Sequence, residues 1–96
     1  MTFNANGHSV DRMVQVVLSD EAVEQVGELT NPILARVQAV LERLEQWPQV
    51  SGAKPLRGAL KGHYRIRTGD WRIVVRPSGS VLWVVRIENR KDVYED

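Results

Sequence analysis

Arginines are concentrated in one short segment, residues 63–76, which reads HYRIRTGDWRIVVR. Polar and apolar side chains alternate around Gly69-Asp70, and a two-residue turn that begins with glycine often joins antiparallel strands because glycine accepts a positive φ. The segment is therefore predicted to be a β-hairpin, since a three-residue turn would mix both kinds of side chain on each face. The predicted cross-strand pairs are Thr68 with Trp71, Arg67 with Arg72, Ile66 with Ile73 and Arg65 with Val74.

Alternation along the two strands gives the hairpin an apolar face and an arginine face. The predicted apolar face holds Tyr64, Ile66, Trp71, Ile73 and Val75. The predicted arginine face holds Arg65, Arg67, Arg72 and Arg76. Like charges directly opposite each other destabilise a sheet, whereas guanidinium groups bind phosphate oxygens in pairs and stay charged. The pattern favours nucleic-acid binding, and a solvated outer face that happens to be basic is the alternative.

Composition bounds the class of protein. The chain has 96 residues, of which 43% are hydrophobic and 26% charged, so we expect one globular domain with a modest core. Cysteine is absent, which excludes disulfides and thiolate metal sites. The two histidines are far apart and no metal-binding or phosphate-loop motif occurs, so neither a metal nor a cofactor is predicted. No long apolar run or secretory leader is present, and a cytoplasmic protein without a membrane contact is expected.

Charge is divided unevenly along the chain. Residues 1–53 carry three basic and seven acidic side chains, a balance of −4, whereas residues 54–91 carry ten basic and two acidic ones, a balance of +8. The last five residues add −3. The basic half is also the half that is predicted to form most of the sheet, which favours an anionic partner for that sheet.

The first half of the chain is predicted to supply one strand and two helices. Residues 1–12 show no periodicity and are interpreted as a flexible extension, so the folded domain is expected to span residues 13–96. Strand one covers residues 13–18. A first helix from about residue 20 to 29 follows Ser19 as N-cap, and a second runs to about residue 46 with Asn31 as N-cap. Both helices are amphipathic and are expected to pack as an αα-hairpin on the apolar face of the sheet.

The second half continues with a loop, the hairpin and a last strand. The loop over residues 49–62 carries Lys54, Arg57 and Lys61, which extend the arginine face as a basic rim. The last strand, residues 81–87, is almost continuously apolar, so we expect it to be central, covered on both faces, with Trp83 in the core. Arg90, Lys91 and Tyr94 follow that strand beside the hairpin. The predicted fold is α+β, with the order β-α-α-β-β-β.

Cleavage of RNA by its own 2′-hydroxyl group is one reaction that such a surface could promote. The reaction needs positive charge on the developing phosphorane, a group that takes the 2′ proton and an acid for the leaving 5′ oxygen. Arginines supply the charge but are poor bases. The candidates for proton transfer are Tyr94, His63, Glu88 and Asp92. A surface histidine at a strand end is the simpler interpretation of His63, and Tyr94 could equally be a structural aromatic.

Three segments, read together and in this order, resemble the RelE/ParE superfamily of bacterial type II toxins and, within it, the RelE type. They are KPLRG at residues 54–58, GHYRIRTGDWRIV at residues 62–74 and NRKDVY at residues 89–94. The resemblance covers essentially the whole of residues 13–96. It implies a β-α-α-β-β-β fold with an antiparallel sheet, helices packed on one face, and the first strand beside the last.

The resemblance also implies an activity and partners. RelE-type toxins are metal-independent endoribonucleases that cleave messenger RNA on the ribosome. A cognate, RelB-like antitoxin wraps the toxin, and such complexes bind operator DNA through the antitoxin. By position, Arg65, Arg67 and Arg72 correspond to residues that hold the scissile phosphate, and Arg90 to one that stabilises the transition state or the leaving group. Tyr94 corresponds to a tyrosine that orients the target base or assists proton transfer, and Lys54, Arg57, Lys61, Arg76 and Lys91 are predicted to bind RNA.

Two departures from the family pattern leave the proton-transfer group open. Arg65 and Arg67 stand where RelE often has lysines, which weakens the case for a lysine base. Many ribonuclease relatives have histidine where this chain has Asn89, and an amide does not transfer protons at neutral pH. Either the chain uses a RelE-like set without histidine, or it is a weak nuclease. The alternative function is that of a ParE-type inhibitor of DNA gyrase, which needs no catalytic residues.

Overall fold

The computed structural model describes residues 14–89 and residue 91. Seven elements follow one another: β1 (Gln15–Leu18), α1 (Asp20–Gly27), α2 (Asn31–Arg43), β2 (Lys54–Pro55), β3 (Tyr64–Thr68), β4 (Trp71–Ser78) and β5 (Val81–Asn89). Short 3-10 turns cover Leu44–Gln46 and Gly58–Leu60. The predicted flexible extension over residues 1–12, together with Arg90, Asp92 and Tyr94, lies outside the described residues. The predicted order of elements is confirmed, with the short β2 added inside the loop.

Capping residues set where the two helices begin. Ser19 is the N-cap of α1, as predicted, and its Oγ accepts a hydrogen bond from the Ala22 backbone N–H at 3.1 Å. The prediction that Asn31 caps α2 is wrong by one residue, because Thr30 has the extended backbone of a cap and Asn31 is already helical. Pro32 then falls in the first turn, where its missing N–H costs nothing.

The five strands form one sheet in the order β1-β5-β4-β3-β2. The α+β class is confirmed, and the first strand lies beside the last, as the family resemblance implies. One pair departs from the expected antiparallel sheet, because β1 runs parallel to β5. The connection from β1 to β5 contains both helices and the strands β2, β3 and β4, and so supplies the long crossover that a parallel pair requires.

Both helices pack on the same face of the sheet, called the inner face below. Val37 and Val40 of α2 are buried there, next to Leu44 of the following 3-10 turn. The sheet contributes Val16, Ile66, Ile73, Val75, Leu82, Val84 and Ile87 to the same core. Burial of these aliphatic side chains is the main stabilising term of the domain. Within residues 14–89, no helix is both long and apolar enough to cross a lipid bilayer.

A β-bulge interrupts the pairing of β4 with β5. Val74 pairs with Arg86, but Val75 pairs with Val84, so Val85 is an extra residue on β5. After a bulge the alternation of faces shifts by one residue. Ile87 therefore returns to the core while Arg86 points to the opposite side of the sheet, called the outer face below.

The prediction that β5 is covered on both faces and buries Trp83 is wrong. Both helices lie on the inner face, and Trp83 pairs with the exposed Arg76 on the outer face, where it is half-buried. The apolar run alone did not show which residues face the helices. A run without alternation fits a strand that is covered on one face as well as a strand that is covered on both.

Candidate nucleic-acid interface

The arginine hairpin has the predicted register. All four predicted pairs occur, and Tyr64 pairs with Val75 as well. Gly69 has φ of +60°, the left-handed conformation that a side chain disfavours, so glycine is required at the first position of the turn. Ile66 and Ile73 are buried on the inner face, and the facing pair Arg67 and Arg72 lies on the outer face.

Cross-strand pairing lines up the outer-face cations in rows. One row runs Lys54, Arg65, Val74, Arg86 across β2, β3, β4 and β5. The next row runs Arg67, Arg72, Glu88 across β3, β4 and β5. Neighbouring strands are about 4.8 Å apart, so cations on adjacent strands, such as Lys54 and Arg65 or Arg67 and Arg72, are close enough to act on the same phosphodiester group. A short stretch of nucleic-acid backbone would meet several guanidinium groups at once on this surface.

Arg72 differs from the other arginines because it is buried. Only 6% of its surface is exposed. Its Nε donates to Oε2 of Glu88 at 2.6 Å, and Arg86 Nη1 contacts Oε1 of the same carboxylate at 3.4 Å. The carboxylate offsets the repulsion between Arg67 and Arg72 that the hairpin alone would suffer.

The predicted basic rim is only partly gathered. Lys54, Arg57 and Arg65 line one cavity of about 260 Å³ beside β2, together with Pro55 and Leu56. Lys61 is exposed after the second 3-10 turn and is not among the residues lining that cavity.

Two further predicted RNA-binding residues lie towards opposite ends of β4. Arg76 is exposed and pairs with Trp83, near the end of the strand. Lys91 is exposed, and its Nζ lies 3.9 Å from Oδ2 of Asp70 at the hairpin turn, just before the strand begins. Arg90 and Tyr94, which complete the predicted set, lie outside the described residues.

Two outer-face residues were missed by the prediction from sequence, Arg86 and Trp83. A regular strand through Leu82 and Val84 would send Arg86 into the core, and only the bulge turns it outward. The sequence carries no such signal, since residues 81–85 are all apolar; only the burial of Leu82, Val84 and Ile87 in the structure shows a step of two positions followed by a step of three. A step of three in a strand pattern indicates an extra residue.

The candidates for proton transfer are constrained by their partners. Nδ1 of His63 lies 3.1 Å from the Leu60 carbonyl oxygen, so this half-buried imidazole is held by the turn before β3. Both oxygens of Glu88 contact arginines. Asn89 Oδ1 accepts a hydrogen bond from the Lys91 backbone N–H at 2.9 Å.

Within residues 14–89 and 91, no group of three or more potential metal-ligating side chains lies together.

Solved structures of type II toxins have the same fold. The RelBE2 toxin–antitoxin complex of Mycobacterium tuberculosis matches with a TM-score of 0.71 and 26% identity, covering 81% of this chain and 92% of that chain. The isolated RelE toxin of Escherichia coli matches with a TM-score of 0.67 and 18% identity, covering 79% and 83%. YafQ of Escherichia coli matches with a TM-score of 0.69 and 13% identity, covering 85% and 99%. No curated protein matches the sequence.

These matches show that the chain has the fold of RelE-like toxins. The model of the ParE toxin of type II toxin–antitoxin systems, parDE, matches residues 16–94, which is most of the chain. The chain therefore belongs to this family of type II toxins, within the RelE/ParE superfamily.

Proposed function

We propose that this toxin is an endoribonuclease that cleaves messenger RNA on the ribosome, with no metal ion in the reaction. The observation that carries the proposal is the pair of cross-strand rows on the outer face, which align Lys54, Arg65 and Arg86 next to Arg67 and Arg72. Gyrase inhibition by protein contact would not require charges aligned on the scale of a phosphodiester backbone, whereas phosphate recognition does.

The reaction we propose is attack of the RNA 2′-hydroxyl on the adjacent phosphorus. The bond from O2′ to phosphorus forms as the 2′-hydroxyl gives up its proton, and the bond from phosphorus to O5′ breaks as O5′ takes up a proton. The products carry a 2′,3′-cyclic phosphate and a 5′-hydroxyl. Arg65 and Arg67 would hold the scissile phosphate, and Arg72 would stabilise the charge that builds up on its oxygens. Arg90 and Tyr94 keep the roles that the family resemblance implies, stabilisation of the transition state and orientation of the target base.

Trp83 adds an aromatic surface to this proposal. It is half-buried on the outer face and pairs with Arg76. Bases of single-stranded RNA stack on aromatic side chains next to cations that hold the backbone. We assign to Trp83 the stacking of a base next to the cleaved phosphate, and to Lys54, Arg57, Lys61, Arg76 and Lys91 the binding of flanking phosphates.

The proposed partners follow from the same surface. Several structures with this fold are complexes with an antitoxin, among them RelBE2 of Mycobacterium tuberculosis and RelB–RelE of Methanococcus jannaschii. We propose that a RelB-like antitoxin covers the outer face of this chain in the cytoplasm. Operator DNA would then be bound through the antitoxin.

A second function is favoured by one observation. The family model that matches the chain is that of the ParE toxin, and the family resemblance gives ParE members the inhibition of DNA gyrase. Such an activity would need a protein-binding surface and no cleavage chemistry.

One experiment separates the two functions. The purified protein is added to ribosomes programmed with a defined messenger RNA, and in parallel to a gyrase supercoiling reaction. We expect messenger fragments with 5′-hydroxyl ends in the first reaction and undisturbed supercoiling in the second. Arg65→Ala and Arg67→Ala, at two positions of the outer face, should reduce cleavage. Intact messenger RNA together with blocked supercoiling would establish the gyrase function instead.

A further inference from the structure

Glu88 is an acidic residue on a surface that otherwise carries cations. It lies on the outer face opposite Arg72, and 12% of its side chain is exposed. A carboxylate at this place repels the phosphates that the neighbouring arginines attract. Its effect on affinity alone is unfavourable. Its charge offsets the repulsion between Arg67 and Arg72, and its contacts indicate a second contribution to phosphate binding.

The contacts of Glu88 point to geometry. One carboxylate oxygen accepts from Arg72 Nε at 2.6 Å, and the other is 3.4 Å from Arg86 Nη1. An arginine that is already held loses less rotamer freedom when a phosphate arrives, and its donors point in a fixed direction. Glu88 therefore joins two arginines of adjacent strands into one rigid unit.

The backbone around Glu88 is itself anchored by α1. Ser19 Oγ donates to the carbonyl oxygen of Val85, the bulge residue, at 2.7 Å. Gln25 Oε1 accepts from the Ile87 backbone N–H at 2.6 Å. β1 pairs with β5 only as far as Leu18 with Val84, so within residues 14–89 the following residues of β5 have no strand partner on that side, and these two side chains bond the backbone there instead. The segment of β5 that contains the bulge, Arg86 and Glu88 is thus held along the side where β1 ends.

We propose that Glu88 is a positioning residue, which orients Arg72 and Arg86 for phosphate binding at the cost of affinity. The inference rests on the proposed nuclease function for its effect on rate, but its effect on Arg72 is independent of any activity. The proposed role differs from that of a proton-transfer group, because Glu88 acts through its hydrogen bonds to Arg72 and Arg86 and not on the RNA itself.

The test compares Glu88→Ala with Glu88→Gln. Alanine removes both contacts, whereas glutamine removes the charge and keeps one oxygen that can accept from Arg72 Nε. The matched control is Glu42→Gln, which removes the same charge from an exposed position on α2. Three quantities are measured for each folded variant: the affinity for a short single-stranded RNA, the single-turnover rate of messenger cleavage on the ribosome, and the solvent exchange of the Arg72 Nε–H by NMR.

We expect affinity and rate to move in opposite directions. Glu88→Ala should bind RNA at least as tightly as the wild type, cleave it about 10²-fold more slowly, and lose protection of the Arg72 Nε–H. Glu88→Gln should keep the tighter binding and recover most of the rate and the protection. Glu42→Gln should leave all three quantities unchanged.

Three results would overturn the proposal. The first is an unchanged cleavage rate in Glu88→Ala. The second is equal behaviour of the alanine and glutamine variants, which would reduce the role to charge. The third is a protected Arg72 Nε–H in Glu88→Ala. A wild-type protein that does not cleave messenger RNA would disprove the nuclease function instead, and the exchange of the Arg72 Nε–H would then decide alone whether Glu88 positions it.

Discussion

The two faces of the sheet are built from the same strands but by different rules. On the inner face, Ile73 is held by burial among aliphatic side chains from both helices. On the outer face, its neighbour Arg72 is almost as deeply buried but forms an ion pair with the carboxylate of Glu88. Apolar contacts are numerous and individually weak, so the stability of the inner face is spread over many contacts. Removing one member of a buried ion pair leaves a charge uncompensated, so the outer face depends strongly on the identity of these residues.

Removal of Arg72 should have the largest effect. Arg72→Ala takes the 2.6 Å partner from Glu88 and leaves that carboxylate with the longer contact to Arg86. We expect the free energy of unfolding, measured with urea, to fall by about 3–5 kcal/mol, and cleavage by the folded fraction to fall by about 10²–10³-fold. Arg76→Ala, at an exposed position on the same face, should change stability by less than about 0.5 kcal/mol. Equal effects of the two variants would contradict the distinction between buried and exposed arginines.

Ile73, the neighbour of Arg72 on β4, tests the contribution of the inner face to stability. Ile73→Ala removes a fully buried side chain and should lower the free energy of unfolding by about 2–5 kcal/mol. RNA affinity per folded molecule should stay the same, because the side chain points away from the outer face. If affinity fell with Ile73→Ala at a temperature where the variant is folded, the two faces would not be independent.

Trp83 tests whether the outer face reads bases as well as phosphates. Trp83→Ala should weaken the binding of short single-stranded RNA by about 1–3 kcal/mol, measured by fluorescence anisotropy with a labelled oligonucleotide. Trp83→Phe keeps an aromatic ring and should retain most of the affinity. Unchanged affinity in both variants, with binding of a purified antitoxin weakened instead, would assign Trp83 to a protein interface.

The hairpin turn offers a smaller effect. Gly69 has φ of +60°, and a Cβ there would come within 2.9 Å of Nη1 of Arg36. Gly69→Ala should therefore destabilise the domain by about 1 kcal/mol, measured by thermal unfolding. Gly27, at the end of α1, has no atom near its Cβ position, so Gly27→Ala should be neutral or slightly stabilising. Equal melting temperatures of the two variants would show that the turn is not under this constraint.

The smallest expected effect concerns the rim. Lys54→Ala removes one cation from the row that includes Arg65. The slope of log K against log salt concentration for single-stranded RNA should become shallower by about 0.7, and Arg43→Ala, which removes an exposed cation from α2, serves as the comparison with an unchanged slope. A slope unchanged by Lys54→Ala would exclude it from the phosphate contacts.

The sequence predicts the inner face of the sheet more completely than the outer face. The hairpin register followed from Gly69 and from strict alternation, which are local features. The position of α2 followed from its apolar stripe. Trp83 was misplaced because an apolar run without alternation does not show which face each residue lines. The outward direction of Arg86 was missed because it follows from a bulge at Val85, where Ser19 and Gln25 bond the backbone. These bonds join residues more than sixty positions apart, and no local pattern reports them.

The parallel pairing of β1 with β5 bears on the order in which the protein is made. β1 is synthesised before either helix, yet Gln15 pairs with Val81. This strand therefore cannot join the sheet until nearly the whole domain has been synthesised. Pairings between distant residues form slowly because a long loop must close first. Arg72 in turn meets Glu88 only when β5 joins the sheet. A nascent chain can thus form the arginine hairpin of β3 and β4 before β5 supplies the carboxylate of Glu88 to Arg72.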